Sequence, residues 1–203
     1  MQYSIAYVVG ILGFVFFLAD AACISIYEQI RENANVAMYA KMAYTDMMTG
    51  LGNRAAFMED SRKGETFESA LAYIMIDANN LKKINDSLGH TRGDELLTTV
   101  SRCIEDGVKH TIGNGRCYRI GGDEFVIRLR NATRQDAEDC MRHVREALVE
   151  AGKKTDIPIS AAMGCAWSDE TIKDTEKLLQ HADTEMYENK QMMKRQSQNM
   201  TAS

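Results

Sequence analysis

"CYRIGGDEFVIRL", residues 117–129, sets two stretches that suit β-strands on either side of two glycines and two acids. A hairpin needs only about two turn residues of the Asn-Gly type. Gly121-Gly122-Asp123-Glu124 is therefore more than a turn requires. One reading is a surface turn with a solvated acidic tip. The other is a backbone stripped of side chains so that a ligand can approach, beside carboxylates that hold a metal. The rest of the chain discriminates between them.

Working outward, residues 69–77, "SALAYIMID", read as a buried strand that ends on Asp77. A buried unpaired carboxylate is costly, so Asp77 calls for a cation or donors nearby. If the hairpin lies beside this strand, two or three of the carboxylates Asp77, Asp123 and Glu124 converge, and convergent oxygens are what Mg²⁺ takes together with substrate phosphates. "GDELLTTVSRCIEDGV" is an amphipathic helix with Leu96, Leu97, Val100, Cys103 and Ile104 on one face. Residues 134–151 form another, "IPISAAMGCAW" is a strand, and "DTEKLLQHADTEMYENKQMM" is the last helix. The polar tail from Gln196 onward is expected to fray. Upstream, "TDMMTGLGNR" breaks a helix at Gly50 and Gly52, and Asn53 can cap the helix of residues 54–63. This order predicts an α+β fold, a mainly antiparallel sheet with helices packed on it.

The first 27 residues differ in kind. "YSIAYVVGILGFVFFLADAACISIY" is apolar apart from hydroxyls and Asp20, and supplies the roughly 20 residues a spanning helix needs. A signal peptide would want a basic start, which Met1-Gln2 lacks. Arg31, Lys41 and Arg54 follow the segment and none precedes it, which points to a single pass through residues 3–27 with the remainder cytoplasmic. Beyond it, Ile26, Ile30, Asn33, Ala37, Ala40 and Tyr44 recur at alternating spacings of four and three. That seam suits a parallel dimer stalk, and equally a solvated spacer helix. The expected organisation is 1–26 transmembrane helix, 27–44 stalk and 45–203 catalytic domain.

Composition narrows the class. The 203 residues are 45% hydrophobic and 26% charged, as in ordinary globular proteins, and hold one proline. A net charge of −5 argues against a nucleic-acid polymer as partner, though a nucleotide needs only a few local cations. Cys23, Cys103, Cys117, Cys140 and Cys165 are scattered with no CxxC pair, so they read as reduced, packing thiols. No GxxxxGK[ST] run occurs, so phosphates would be held by metal and by scattered lysines such as Lys82, Lys190 and Lys194.

"DANNLKKINDSLGHTRGDELL", taken with "RIGGDEF", "DMMTGLGNR", "ISAAMG" and "ADTEMYENK", closely resembles the GGDEF family of diguanylate cyclases over roughly residues 45–195. The resemblance implies a polymerase-palm-like (ferredoxin-like) domain that binds one GTP. Two such domains face each other, each 3′-hydroxyl attacks the other GTP's α-phosphate, and cyclic di-GMP and two pyrophosphates result. By position, Asp77, Asp123 and the Ala78 carbonyl match metal ligands for Mg²⁺ or Mn²⁺. Glu124 matches either a metal ligand or a base for the hydroxyl. Gly121 and Gly122 would let the nucleotide lie against the backbone. Asn85 and Asp94 match guanine-reading positions, Leu81 lies near the nucleotide, and Lys82 and Lys190 match phosphate contacts. The Asp-x-Asn-x-Leu-Lys form puts Asn79 where Asp is frequent. "QMMKRQ" puts Lys194 where the family has arginine, keeping charge but not the bidentate fork. The family's Arg-x-x-Asp product-binding pair would fall at Ile112 and Gly115, so it is absent. The implied activity is a membrane-tethered diguanylate cyclase. The competing expectation is a GTP-binding or interaction module on the same fold.

Overall fold

The computed structural model describes residues 2–63, 70–111, 114–168 and 174–201. The chain divides into two compact units, Met1–Ala43 and Tyr44–Ser203. The first is nearly all of helix α1, Gln2–Tyr44. At 1.5 Å per residue it extends about 65 Å. It is long and apolar enough to cross a membrane, and every side chain from 7 to 39 is exposed.

The second unit contains α2 (Arg54–Lys63), β1 (Leu71–Ala78), α3 (Leu81–Leu88), α4 (His90–Lys109), β2 (Asn114–Arg119), β3 (Glu124–Arg130), α5 (Arg134–Gly152), β4 (Ala161–Trp167) and α6 (Thr175–Thr201). The strands form one antiparallel sheet in the order β2-β3-β1-β4. With helices between β1 and β2 and between β3 and β4, this is the ferredoxin-like α+β arrangement expected from the sequence.

β1 is buried along its whole length because both sheet faces are covered. Ala72, Ile74 and Ile76 point into one core with Leu96, Val100, Ile104, Val144 and Leu148 of α4 and α5. Leu71, Tyr73 and Met75 point into a second core with Phe57 of α2 and Leu178, Ala182 and Met186 of α6. The strand period of two thus delivers alternate residues to different layers. α6 also covers the open edge of β4. Asn189 Oδ1 accepts from Met163 N–H at 3.0 Å, and Glu185 Oε2 accepts from Cys165 N–H at 3.1 Å. Those edge donors would otherwise invite another strand.

Several boundaries differ from the sequence expectation. The stretch before the hairpin holds two helices rather than one. Gly89, with φ +86°, separates α3 from α4 in a backbone region that side chains with a Cβ disfavour. β4 begins at Ala161 rather than Ile157, since Pro158 cannot donate to a ladder. α6 runs to Thr201 instead of fraying from Gln196. The break after α1 starts at Thr45, ahead of the glycines. Asp46 Oδ1 accepts from Thr49 N–H at 2.9 Å and from its hydroxyl at 2.6 Å, closing a side-chain-capped turn. Asn53 does cap α2, accepting from Ala56 N–H at 3.0 Å. Burial lifts the Cys103 and Cys165 thiols to about 11 and Cys117 to about 12, in keeping with packing rather than reactive cysteines.

Candidate functional site

The site is built at the ends of β1 and β3. Antiparallel register sets Asp77 directly opposite Glu124 on one side and Ala162 on the other. Ala78 N–H donates to the Asp123 carbonyl at 2.8 Å, which fixes the hairpin tip against the end of β1. A cleft of about 600 Å³ opens there. It brings together Asp77, Ala78, Asp123, Leu81, Lys82, Lys190 and Lys194 from four separate stretches of chain.

Asp77 is 5% exposed. Lys190, from α6, donates to its Oδ2 at 2.5 Å. Its Oδ1 is buried without a hydrogen-bond partner. Burial raises the Asp77 pKa above the ordinary carboxylate range, the charge of Asp123 adds to the rise, and Lys190 and Lys194 oppose it. An orphaned, buried carboxylate oxygen beside a second carboxylate is a position that a divalent cation would satisfy. Mg²⁺ is usually held by one or two carboxylates, with substrate phosphates and waters completing its shell, so this pair fits it.

The other expected residues lie differently. Among the described residues no three His, Cys, Asp or Glu side chains gather closely enough to hold a metal by themselves. Glu124 is turned back over the hairpin tip and does not line the cleft. A Cβ added at Gly121 would come within 2.5 Å of Glu124 Oε2, so this carboxylate lies in the space Gly121 leaves open. Gly122 has open space around its Cβ position, which leaves the approach to the backbone clear. Neither has the left-handed φ seen at Gly50 and Gly89. Asn85 and Asp94 lie outside the cleft lining. Asn85 packs on Gly93, where an added Cβ would fall 1.9 Å from Asn85 Oδ1, and that oxygen is buried without a partner. Asp94 follows, exposed, just past the first turn of α4. Asn79 faces away and donates to Ser160 Oγ at 3.2 Å and to Met193 sulfur at 3.6 Å.

Sequence reasoning overlooked four cleft residues, Asn80 just before α3 and Lys83, Asp86 and Ser87 on it. Recognising "NLKKINDSLG" as a separate helix closed by glycine would have exposed them. It also overlooked Arg119. That side chain bonds the Gly122 carbonyl at 2.8 Å and Asp46 at 3.3 Å, tying the hairpin tip to the turn after α1. Thr49 and Arg119 hold the Asp46 carboxyl below its usual range, although its burial acts the other way.

Fold and cleft together define a ferredoxin-like domain with the Asp77–Asp123 pair and four lysines in a cleft at the end of β1. Residues 43–196 match the family profile "Diguanylate cyclase, GGDEF domain", and the chain belongs to that family. Over 163 residues it is 29% identical to diguanylate cyclase DgcS of Shewanella oneidensis, covering 77% of this chain and 53% of the relative. Over 151 residues it is 34% identical to cyclic di-GMP phosphodiesterase PdeR of Escherichia coli, covering 72% of this chain and 22% of that protein. The chain therefore spans about half of one relative and about a fifth of the other. A similar fold occurs in the coiled coil and GGDEF domain of DgcB from Caulobacter crescentus, solved with c-di-GMP. Its TM-score is 0.73 at 20% identity, over 86% of this chain and 94% of that one.

Proposed function

We propose that this chain is a membrane-tethered diguanylate cyclase that condenses two GTP molecules into cyclic di-GMP and two pyrophosphates. The observation that carries the reading is the Asp77–Asp123 pair, with its unpartnered buried oxygen, in one cleft with Lys82, Lys190 and Lys194. Asp77, Asp123 and the Ala78 carbonyl would hold Mg²⁺ or Mn²⁺. When bound, such an ion polarises the phosphoryl oxygens and lowers the pKa of the attacking hydroxyl. The lysines neutralise the triphosphate, and Lys190 exchanges its bond to Asp77 for one to phosphate. Gly122 leaves room for the nucleotide along the hairpin backbone, while Glu124 supplies a further acid at the tip. Asn85 and Asp94 accept from guanine N1–H and N2–H, a pattern that adenine does not offer.

One cleft holds one nucleotide, so the product requires two domains face to face. The stalk seam of α1 from Ile26 to Tyr44 supplies a second pairing surface, and residues 3–27 the anchor in the cell membrane. The domain organisation is then 1–26, 27–44 and 45–203, with the last part cytoplasmic. The test is the purified chain in detergent micelles with GTP and Mg²⁺, with its nucleotide products separated and identified. Specific activity should rise with protein concentration. Activity that stays constant across a dilution series in which sedimentation shows a monomer would contradict the paired site.

The second reading is a nucleotide-binding or interaction module without turnover. It is favoured by the match of this same domain to a relative named a phosphodiesterase. GTP binding with no product over prolonged incubation would establish it.

A further inference from the structure

The sheet face that packs against α2 carries a second cleft, which shares no lining residue with the Asp77 site. Its volume is about 410 Å³. Arg116 of β2 and Arg128 of β3 are direct register partners, and Arg130 follows two residues later on the same face. Like charges directly opposite on neighbouring strands destabilise a sheet. Lys109, at the end of α4, lines the same cleft. Arg128 is only 7% exposed, yet its Nε has no hydrogen-bond partner. Buried guanidinium groups are rare unless paired. Among the described residues one carboxylate lines the cleft, that of Asp60. It is already engaged, accepting from Arg116 at 2.5 Å and from the Tyr118 hydroxyl at 2.7 Å. Lys109 pairs with Asp106 at 3.3 Å, which leaves Arg128 and Arg130 without a carboxylate partner among the described residues.

We propose that this cleft binds the phosphoryl group of a small soluble molecule. Several converging cations suit a dianion, and planar guanidinium forks match phosphate oxygens two at a time. The Tyr118 ring is fully buried, with Arg116 lying 5.5 Å over it, so it offers no face on which a base could stack. Recognition is therefore of the phosphoryl group and not of a nucleobase. A bound dianion removes the repulsion between Arg116 and Arg128.

The test is calorimetric titration of the full chain in detergent micelles with inorganic phosphate, glycerol phosphate and guanosine monophosphate. Each is run on the wild type and on Lys190→Ala, which weakens phosphate binding in the Asp77 cleft. The expected result is saturable binding that survives Lys190→Ala, with the three probes within about tenfold of one another. Losing a charge-assisted bond should weaken binding at least about tenfold in Arg128→Lys and in Arg130→Gln. Arg130 is exposed, so its replacement tests the site even if the Arg128 variant fails to fold. Phosphate should raise the thermal midpoint of the wild type but not that of Arg130→Gln. Binding that disappears with Lys190→Ala and is indifferent to Arg130→Gln would place the anion in the Asp77 cleft and overturn the proposal. So would an unsaturable signal, or a nucleotide bound far more tightly than glycerol phosphate.

Discussion

Replacing Asp77 by Asn separates what this residue does for stability from what it does for chemistry. Folding buries its carboxylate, leaves Oδ1 without a donor and raises its pKa, so the ionised form is less at home in the fold than in the unfolded chain. The direction of the linkage follows. An Asp whose pKa rises on folding adds stability below its unfolded value of about 3.9, and that contribution is lost as pH climbs through the raised value. Asn keeps the shape and removes the charge. Lys190 loses its partner, but its side chain is 26% exposed and can turn to water. The cost of about 3–5 kcal/mol for stranding a fully buried charge therefore does not apply. Asp77→Asn should fall within about 1 kcal/mol of the wild type near neutral pH, on the stable side, while synthesis drops by about a thousandfold or more. Residues 44–203 enclose both core layers and contain the chain's one tryptophan, Trp167, whose ring lies 4.6 Å from the Arg134 guanidinium. Urea unfolding followed by its fluorescence, from about pH 4 to about pH 8, gives the comparison. The variant's advantage should grow as pH rises. A destabilisation of about 3 kcal/mol, or a gap independent of pH, would refute the reasoning.

Asp123→Asn and Glu124→Gln should each reduce product formation by at least about a hundredfold and leave the unfolding midpoint nearly unchanged, since neither side chain is part of a core layer. Near wild-type turnover in both would remove them from the mechanism. Gly93→Ala should push the Asn85 amide aside, because the new Cβ would fall 1.9 Å from its oxygen. GTP affinity should fall, and an unchanged affinity measured by calorimetry would detach Asn85 from guanine recognition. Cyclic di-GMP added to initial-rate assays should not inhibit at submicromolar concentration through the usual Arg-x-x-Asp positions. Ile112 lies outside the described residues, but Gly115 supplies no acid, and one placed there would have to displace the Val108 and Leu129 side chains. Inhibition abolished by Arg116→Ala would contradict this.

The features legible in the residues alone are local or motif-borne. β1 reads as a near-continuous apolar run because both its faces are covered, and the Asn53 cap and the amphipathic stripes of α4 and α5 are written in residues a few positions apart. The ordered motifs around Asp77, Asp123 and the last helix likewise marked the cleft in advance. Tertiary structure decided the rest. Lys190 reaches Asp77 across 113 residues of chain, and only the seating of α6 on β4 and β1 makes that contact. The motif spacing left open whether two or three acids converge, and the structure leaves the Asp77–Asp123 pair because Glu124 folds over Gly121, a rotamer choice that no spacing encodes. The Arg116–Arg128 stack was equally invisible, since cross-strand neighbours are fixed by hairpin register and not by proximity in sequence. Capping and periodicity act within about a turn of chain, whereas charge pairing and burial depend on which surfaces the assembled layers bring together.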